Sequence, residues 1–215
     1  MNNDPNSLSK LLYEKTQLIH REVEQVPFFD LLMRNQLSAS AYHHYLTNLF
    51  PIYHALERGM EANLKTHEGL RLVYFPGICR AQPIQEDLNT PPFNTTHSEV
   101  SPEAKAYENH LIHLAQTDPL LLISHAYTRY LGDLSGGVMM KAHVAKLWPG
   151  AVHFFDFGQA LKETQQTRLT ALKDLYKSRL NAIPLDDILK ERLIEEAQLA
   201  FRMSGDILKS IPHES

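Results

Sequence analysis

The chain has 215 residues, 43% of them hydrophobic and 21% charged, with a formal net charge of −4. This suits one globular domain with a buried core, and it excludes a global basic field for nucleic acid. The single cysteine, Cys79, excludes an internal disulfide framework and suits a reducing, cytoplasmic setting. Met1 to Pro5 show no leader pattern, and no apolar run reaches the roughly 18 residues of a membrane span, so no membrane anchor is expected. A monomer is the default expectation. Residues 141–209 carry 11 basic and 9 acidic side chains, whereas residues 1–140 carry 10 and 15, so the C-terminal helices are the more basic part.

Helical periodicity dominates the chain. Ser7 stands as N-cap to a helix over 8–24, with Leu8, Leu12, Ile19 and Val23 among its apolar positions. A second helical region runs over 38–66 and contains Pro51, which predicts a kink or break there. The proline-rich segment 74–101 reads as loop with one short helix. Helices follow over 103–116 and from Asp118-Pro119 to about residue 145, before Trp148-Pro149-Gly150 stops the pattern. Two more are expected, over 158–182 and 185–209, the last with Leu185, Leu189, Leu193, Ala197, Phe201 and Leu208 on one stripe. No convincing alternating strand is found. The expectation is therefore an all-α fold, a compact helical bundle in one domain spanning 1–215, with 1–6 and 210–215 as flexible tails.

The informative stretch is His125-Ala126-Tyr127-Thr128-Arg129-Tyr130-Leu131-Gly132-Asp133-Leu134-Ser135-Gly136-Gly137. Three glycines in a helical pattern cost roughly 3 kcal/mol against alanine, which packing alone does not justify. Gly132 and Gly136 lie one turn apart, with Gly137 beside them, and form a bare face against which a broad flat ligand can lie. Close helix–helix packing fits that face too. Asp133 beside it and Arg129 one turn earlier favour the ligand, because a carboxylate and a guanidinium there imply an internal polar network.

A flat ligand carrying iron needs an axial donor. Among the 12 histidines, His20 is best placed, bordering the first helix's apolar stripe with Thr16 and Glu24 one turn to either side; a carboxylate behind a ligating imidazole fixes its tautomer. His43 and His44 are adjacent and cannot share a face. His110 and His113, three apart, have metal spacing of a kind that is common on exposed surfaces. Lys173 and Lys177, four apart, read either as solvated charges or as a clamp for acidic tails.

The uninterrupted run Tyr127 to Gly137 resembles the signature of the heme oxygenase family, and the resemblance extends over nearly the whole chain. It includes Thr16 and His20 with Glu24, Ile52-Tyr53-x-Ala55-Leu56-Glu57, Tyr74-Phe75-Pro76, Lys173-x-Leu175-Tyr176-x-Ser178-Arg179, and Glu195-Glu196-Ala197 with Phe201. The resemblance implies a soluble enzyme whose heme b, both substrate and cofactor, is sandwiched between a proximal and a distal helix. It implies ring opening by O2 to biliverdin, CO and ferrous iron, for iron acquisition or heme degradation. Electrons would come from an external donor such as a ferredoxin, a flavodoxin or a flavin reductase. By the same resemblance His20 is the axial iron ligand backed by Glu24, and Gly132, Gly136 and Gly137 cover the distal face. Asp133 organises distal water, joined by Arg129 and Tyr53, while Tyr127, Lys173, Lys177 and Phe201 contact the heme. The family often has lysines where Tyr13 and Gln17 stand and an arginine where Lys177 stands, so the propionate clamp is thinner here. Lysine keeps the charge of arginine but loses its bidentate fork.

A heme carrier without turnover would not need Asp133 and its network. A di-iron carboxylate bundle needs Glu-x-x-His pairs, and no histidine here has a glutamate three residues before it. A related bundle with a nucleophilic cysteine would need that cysteine near the signature, and Cys79 lies in the proline-rich connection.

Overall fold

A computed structural model describes residues 6–212, without the side chain of Val138. The helices are α1 (Leu8–Glu24), α2 (Pro27–Met33), α3 (Ala39–Asn63), α4 (Glu68–Val73), α5 (Ala81–Leu88), α6 (Pro102–Thr117), α7 (Leu122–Leu147), α8 (Gly158–Glu163), α9 (Leu169–Asn181) and α10 (Asp187–Ser210). Short 3₁₀ turns join several of them, and no strand occurs among the described residues. The fold is all-α, as expected.

The periodic helices lie where the sequence puts them, and the differences have local causes. Ser7 is the N-cap of α1 through its backbone alone: its carbonyl accepts from Lys10 and Leu11, and its side chain makes no cap bond. Ser38, Ser101 and Asp186 cap α3, α6 and α10 with their side chains. α3 is a single helix through Pro51, so of the kink or break expected there no break occurs. Leu49, Ile52, Tyr53 and Leu56 around the proline are each at most 1% exposed, and that burial holds the backbone helical where propensity opposes it. The single helix expected over 158–182 is two. α8 ends in a Schellman-type cap, with Gln165 at φ 56° and the Gln166 amide donating to the Leu161 carbonyl. Segment 74–101 does contain its one α-helix, α5, with 3₁₀ turns at Pro76–Ile78 and Phe93–Thr95. At the C-terminus Ser210 still belongs to α10 and Ile211 is 2% exposed, so the tail expected from 210 is packed through 211; residues 1–5 and 213–215 lie outside the described residues.

α1 lies along α10, α10 also packs on α7, and α3 packs along α6. The core runs between these layers, with Tyr42, Tyr53, Tyr107, Tyr130 and Tyr176 among its largest fully buried side chains. α1 and α10 bring one apolar face each to this core and leave a cleft towards α7 and α9.

Candidate active site

The cleft has two connected parts that share His20, Glu24, Thr128, Gly132, Ser135 and Phe201. The outer part, about 980 Å³, lies between α1, α7 and α9. Its basic side chains are Lys10, Arg21, Lys173 and Lys177, against Glu24 and Asp174 as its acidic ones, so its field favours an anion. The inner part, about 430 Å³, is lined largely by apolar groups, among them Phe29, Met33, Leu49, Met139, Met140 and Ile207, with Arg129 and Asp133 as its charged groups from α7.

α1 supplies His20. Its Nδ1 lies 3.4 Å from Glu24 Oε2, one turn on, and the imidazole is 45% exposed. With Nδ1 engaged, Nε2 is the atom left for a ligand. The His20 ring meets Phe201 of α10 edge-on at 5.4 Å. Thr16, one turn earlier, is buried and bonds back to the Leu12 carbonyl at 2.7 Å, which fixes its side chain beneath the cleft floor.

α7 supplies the opposite wall. A Cβ built on Gly132 meets nothing within 4 Å, so this glycine holds open the space a side chain would fill. One turn on, a Cβ at Gly136 comes within 3.2 Å of the tip of Met140, and Gly136 lines the inner part. Gly137 faces elsewhere: its Cβ position meets Phe155 and Phe157, and it is absent from both linings. The bare face is therefore Gly132 with Gly136, and Gly137 serves close packing.

Behind the glycines lies a buried polar network. Asp133, 4% exposed, accepts a 2.5 Å hydrogen bond from the Tyr53 hydroxyl of α3. Burial pushes its carboxyl above the usual range, while the Arg129 charge and the Tyr53 bond hold it back. Burial would lower the Arg129 guanidinium, but Tyr53 and Asp133 raise it above its ordinary value, so it stays charged. Arg129 donates to Ser204 Oγ at 3.1 Å and sits 5.5 Å from the Tyr53 ring centre. Its Nε is buried with no partner among the described residues, which marks the network as one with a hydrogen-bonding valence to spare. Tyr53 itself is fully buried and reaches Asp133 from behind the cleft wall.

Tyr127 and Thr128 line the outer part, and burial pushes the Tyr127 hydroxyl up to about 12. Lys173 and Lys177 enter from α9, and burial beside Lys177 lowers the Lys173 ammonium. Tyr13 and Gln17 line this part as well. Sequence reasoning missed Lys10 and Arg21. Lys10, Tyr13 and Gln17 fall at i, i+3 and i+7 on one helical stripe, and that spacing was the available signal.

An imidazole donor on one wall, a bare helical backbone opposite it and cations at the open edge fit a flat, iron-bearing macrocycle with acidic tails. The open space at Gly132 and the unpartnered Arg129 Nε are the observations that support the fit.

The heme oxygenase family model matches residues 6–210. The chain is 32% identical to heme oxygenase 1 of Synechocystis sp., over 95% of this chain and 88% of that one. It is also 32% identical to human heme oxygenase 1, over 96% of this chain and 72% of that one. The crystal structure of the Synechocystis enzyme in complex with heme superposes with a TM-score of 0.83, 30% identity and coverage of 94% and 90%. The solved structure of the Leptospira interrogans heme oxygenase gives 0.84, with 26% identity and coverage of 94% and 98%. No described helix is long and apolar enough to cross a membrane. Family match, relatives and cleft geometry agree, and the chain belongs to the heme oxygenase family.

Proposed function

We propose that this protein opens heme with O2 and externally supplied electrons, giving biliverdin, CO and ferrous iron. The observation that carries this reading is the pairing across one cleft of a ligating histidine on α1 with an open glycine face and a buried, tyrosine-held aspartate on α7. A carrier needs the first of these and has no use for the last.

Heme b supplies the iron that binds and activates O2, and the ring that is attacked. His20 holds the iron, and Glu24 orients the imidazole and raises its basicity. A neutral imidazole pushes less electron density onto the metal than a thiolate would. With heme held by His20, the bare backbone at Gly132 and Gly136 would bound the space opposite the imidazole in which O2 would be accommodated. Asp133 holds the proton needed on that side and passes it through an ordered water, with Tyr53 fixing the carboxylate and Arg129 keeping the network polarised. Apolar Phe29, Met33 and Leu49 keep bulk water out of the inner part. Lys10, Lys173 and Lys177 pair with the propionates at the open edge, and lysines give point charges in place of a bidentate fork. The electron donor, a ferredoxin, flavodoxin or flavin reductase, docks on the more basic C-terminal helices, and the protein acts as a cytoplasmic monomer.

The test is an absorbance time course of the protein with one equivalent of hemin, reductant and air, with catalase present to remove free peroxide. Loss of the Soret band with growth of the broad red biliverdin band is the expected result. A stable histidine-ligated spectrum that never bleaches would overturn turnover and leave a carrier.

A further inference from the structure

Away from the cleft, His110 of α6, His125 of α7 and Glu196 of α10 converge. Glu196 Oε1 lies 2.6 Å from His110 Nε2 and 2.8 Å from His125 Nε2. The three ligand atoms fall within 4.8 Å of one another. The His125 side chain is fully buried, Glu196 is 12% exposed and His110 25%. None of the three lines the cleft. The sequence pairs His110 with His113, but the fold joins it to His125 and Glu196, which lie 15 and 86 positions away.

We propose that His110, His125 and Glu196 form a site for a divalent transition metal such as Zn²⁺, with solvent as fourth ligand. Two imidazoles and one carboxylate are a standard donor set for that ion, and the open position suits an exchangeable water. Each partner comes from a different helix, so three packed backbones fix the donors before any ion arrives. The partly exposed His110 provides the entry path. Ligand distances of roughly 2.0–2.2 Å at tetrahedral angles require donor separations of about 3.3 to 3.6 Å. The present 2.6 and 2.8 Å contacts therefore have to open by roughly 0.5 to 1 Å, which rotations of His110 and Glu196 can supply.

The outer partner is in place as well. The Tyr107 hydroxyl lies 2.9 Å from His125 Nδ1. Without an ion, His125 Nε2–H donates to Glu196 and Nδ1 accepts from Tyr107. With an ion, Nε2 coordinates, Nδ1–H donates to the Tyr107 oxygen, and the tautomer is set by that bond. Glu196 already presents one carboxylate oxygen to both imidazoles, so the three donors are gathered around a common point. The competing arrangement is a metal-free latch in which both imidazoles simply donate to Glu196.

Cobalt(II) titration of the full, heme-free chain separates the two. The expected result is one equivalent bound with visible d–d bands, displaced by Zn²⁺. His110→Gln and Glu196→Gln should each weaken binding by about tenfold or more, with the far-UV circular dichroism unchanged for His110→Gln, whose side chain is partly exposed. His20→Ala should leave the bands as they are, which separates this site from the cleft. Absence of d–d bands, bands unchanged in His110→Gln and Glu196→Gln, or bands lost in His20→Ala would each overturn the proposal. The proposal does not depend on heme turnover.

Discussion

α1 and α7 face each other across the cleft and are built on opposite terms. On α1 the His20–Glu24 pair is local, one turn apart, with side chains 45% and 62% exposed and a loose 3.4 Å contact. On α7 Asp133 is buried and Arg129 half-buried, and both are held from elsewhere: Asp133 by Tyr53 of α3 at 2.5 Å, Arg129 by Ser204 of α10 at 3.1 Å. An exposed pair can turn towards a ligand at little cost. A buried network cannot lose one member without leaving another unpaired. One wall is thus an adaptable holder and the other a fixed instrument, and substitutions on the two should fail in different ways.

The largest expected effect is on the holder. His20→Ala should abolish the histidine-ligated heme spectrum and weaken heme binding by more than the roughly 10–100-fold typical of losing an outer partner. It should leave folding stability within about 0.5 kcal/mol of the parent, because the side chain is half exposed. Heme titration and denaturant melts on the same sample check both halves. On the fixed wall the pattern inverts: Asp133→Asn should bind heme as the parent does and lose ring opening by about a hundredfold or more, read as biliverdin formed per unit time.

The next effect concerns the cross-helix carboxylate that anchors α7 to α10. Glu196 is held at about 2 against an ordinary 4.5. A depressed carboxyl contributes stability that is present above the unfolded value and is lost as pH falls towards 2. That contribution amounts to up to about 3 kcal/mol. Denaturant melts should therefore show a stability loss between pH 4.5 and 2 that largely disappears in Glu196→Gln. Retention of the full loss in that variant would place the acid sensitivity elsewhere. The smallest effect is a gain: Gly132→Ala adds a Cβ that meets nothing, so it should stabilise the fold by up to about 1 kcal/mol. The same methyl group intrudes on the distal space, and heme affinity or turnover should fall. A thermal melt and a heme titration read the two opposed outcomes.

The same contrast explains what could be read from the sequence. The α1 pair and the α7 signature are local patterns, in which helical period alone puts Glu24 behind His20 and Arg129 one turn from Asp133. α3 and α10 were equally visible, since their stripes are long. What escaped depends on contacts distant in sequence or on the backbone. Adjacency in sequence groups Gly137 with Gly136, although helical period turns neighbouring residues to different faces, and Phe155 and Phe157 occupy the face that Gly137 takes. The α8–α9 break rests on Gln165 in the left-handed region, with no glycine to announce it. α2 and α4, at 7 and 6 residues, are too short for periodicity to register and exist because Phe28, Leu32, Leu70 and Val73 are buried. Lys10 and Arg21 escaped notice because α9, which completes their cavity, begins only at Leu169, far along the chain.

The measurement that tests the central claim most directly runs the parent and Asp133→Asn side by side with hemin, reductant, air and catalase. Before reductant the two spectra should be the same, because His20 holds the iron in both. After reductant only the parent should bleach to biliverdin. Equal biliverdin rates would remove Asp133 from the chemistry, and different starting spectra would mean that the two walls of the cleft are not separable as described.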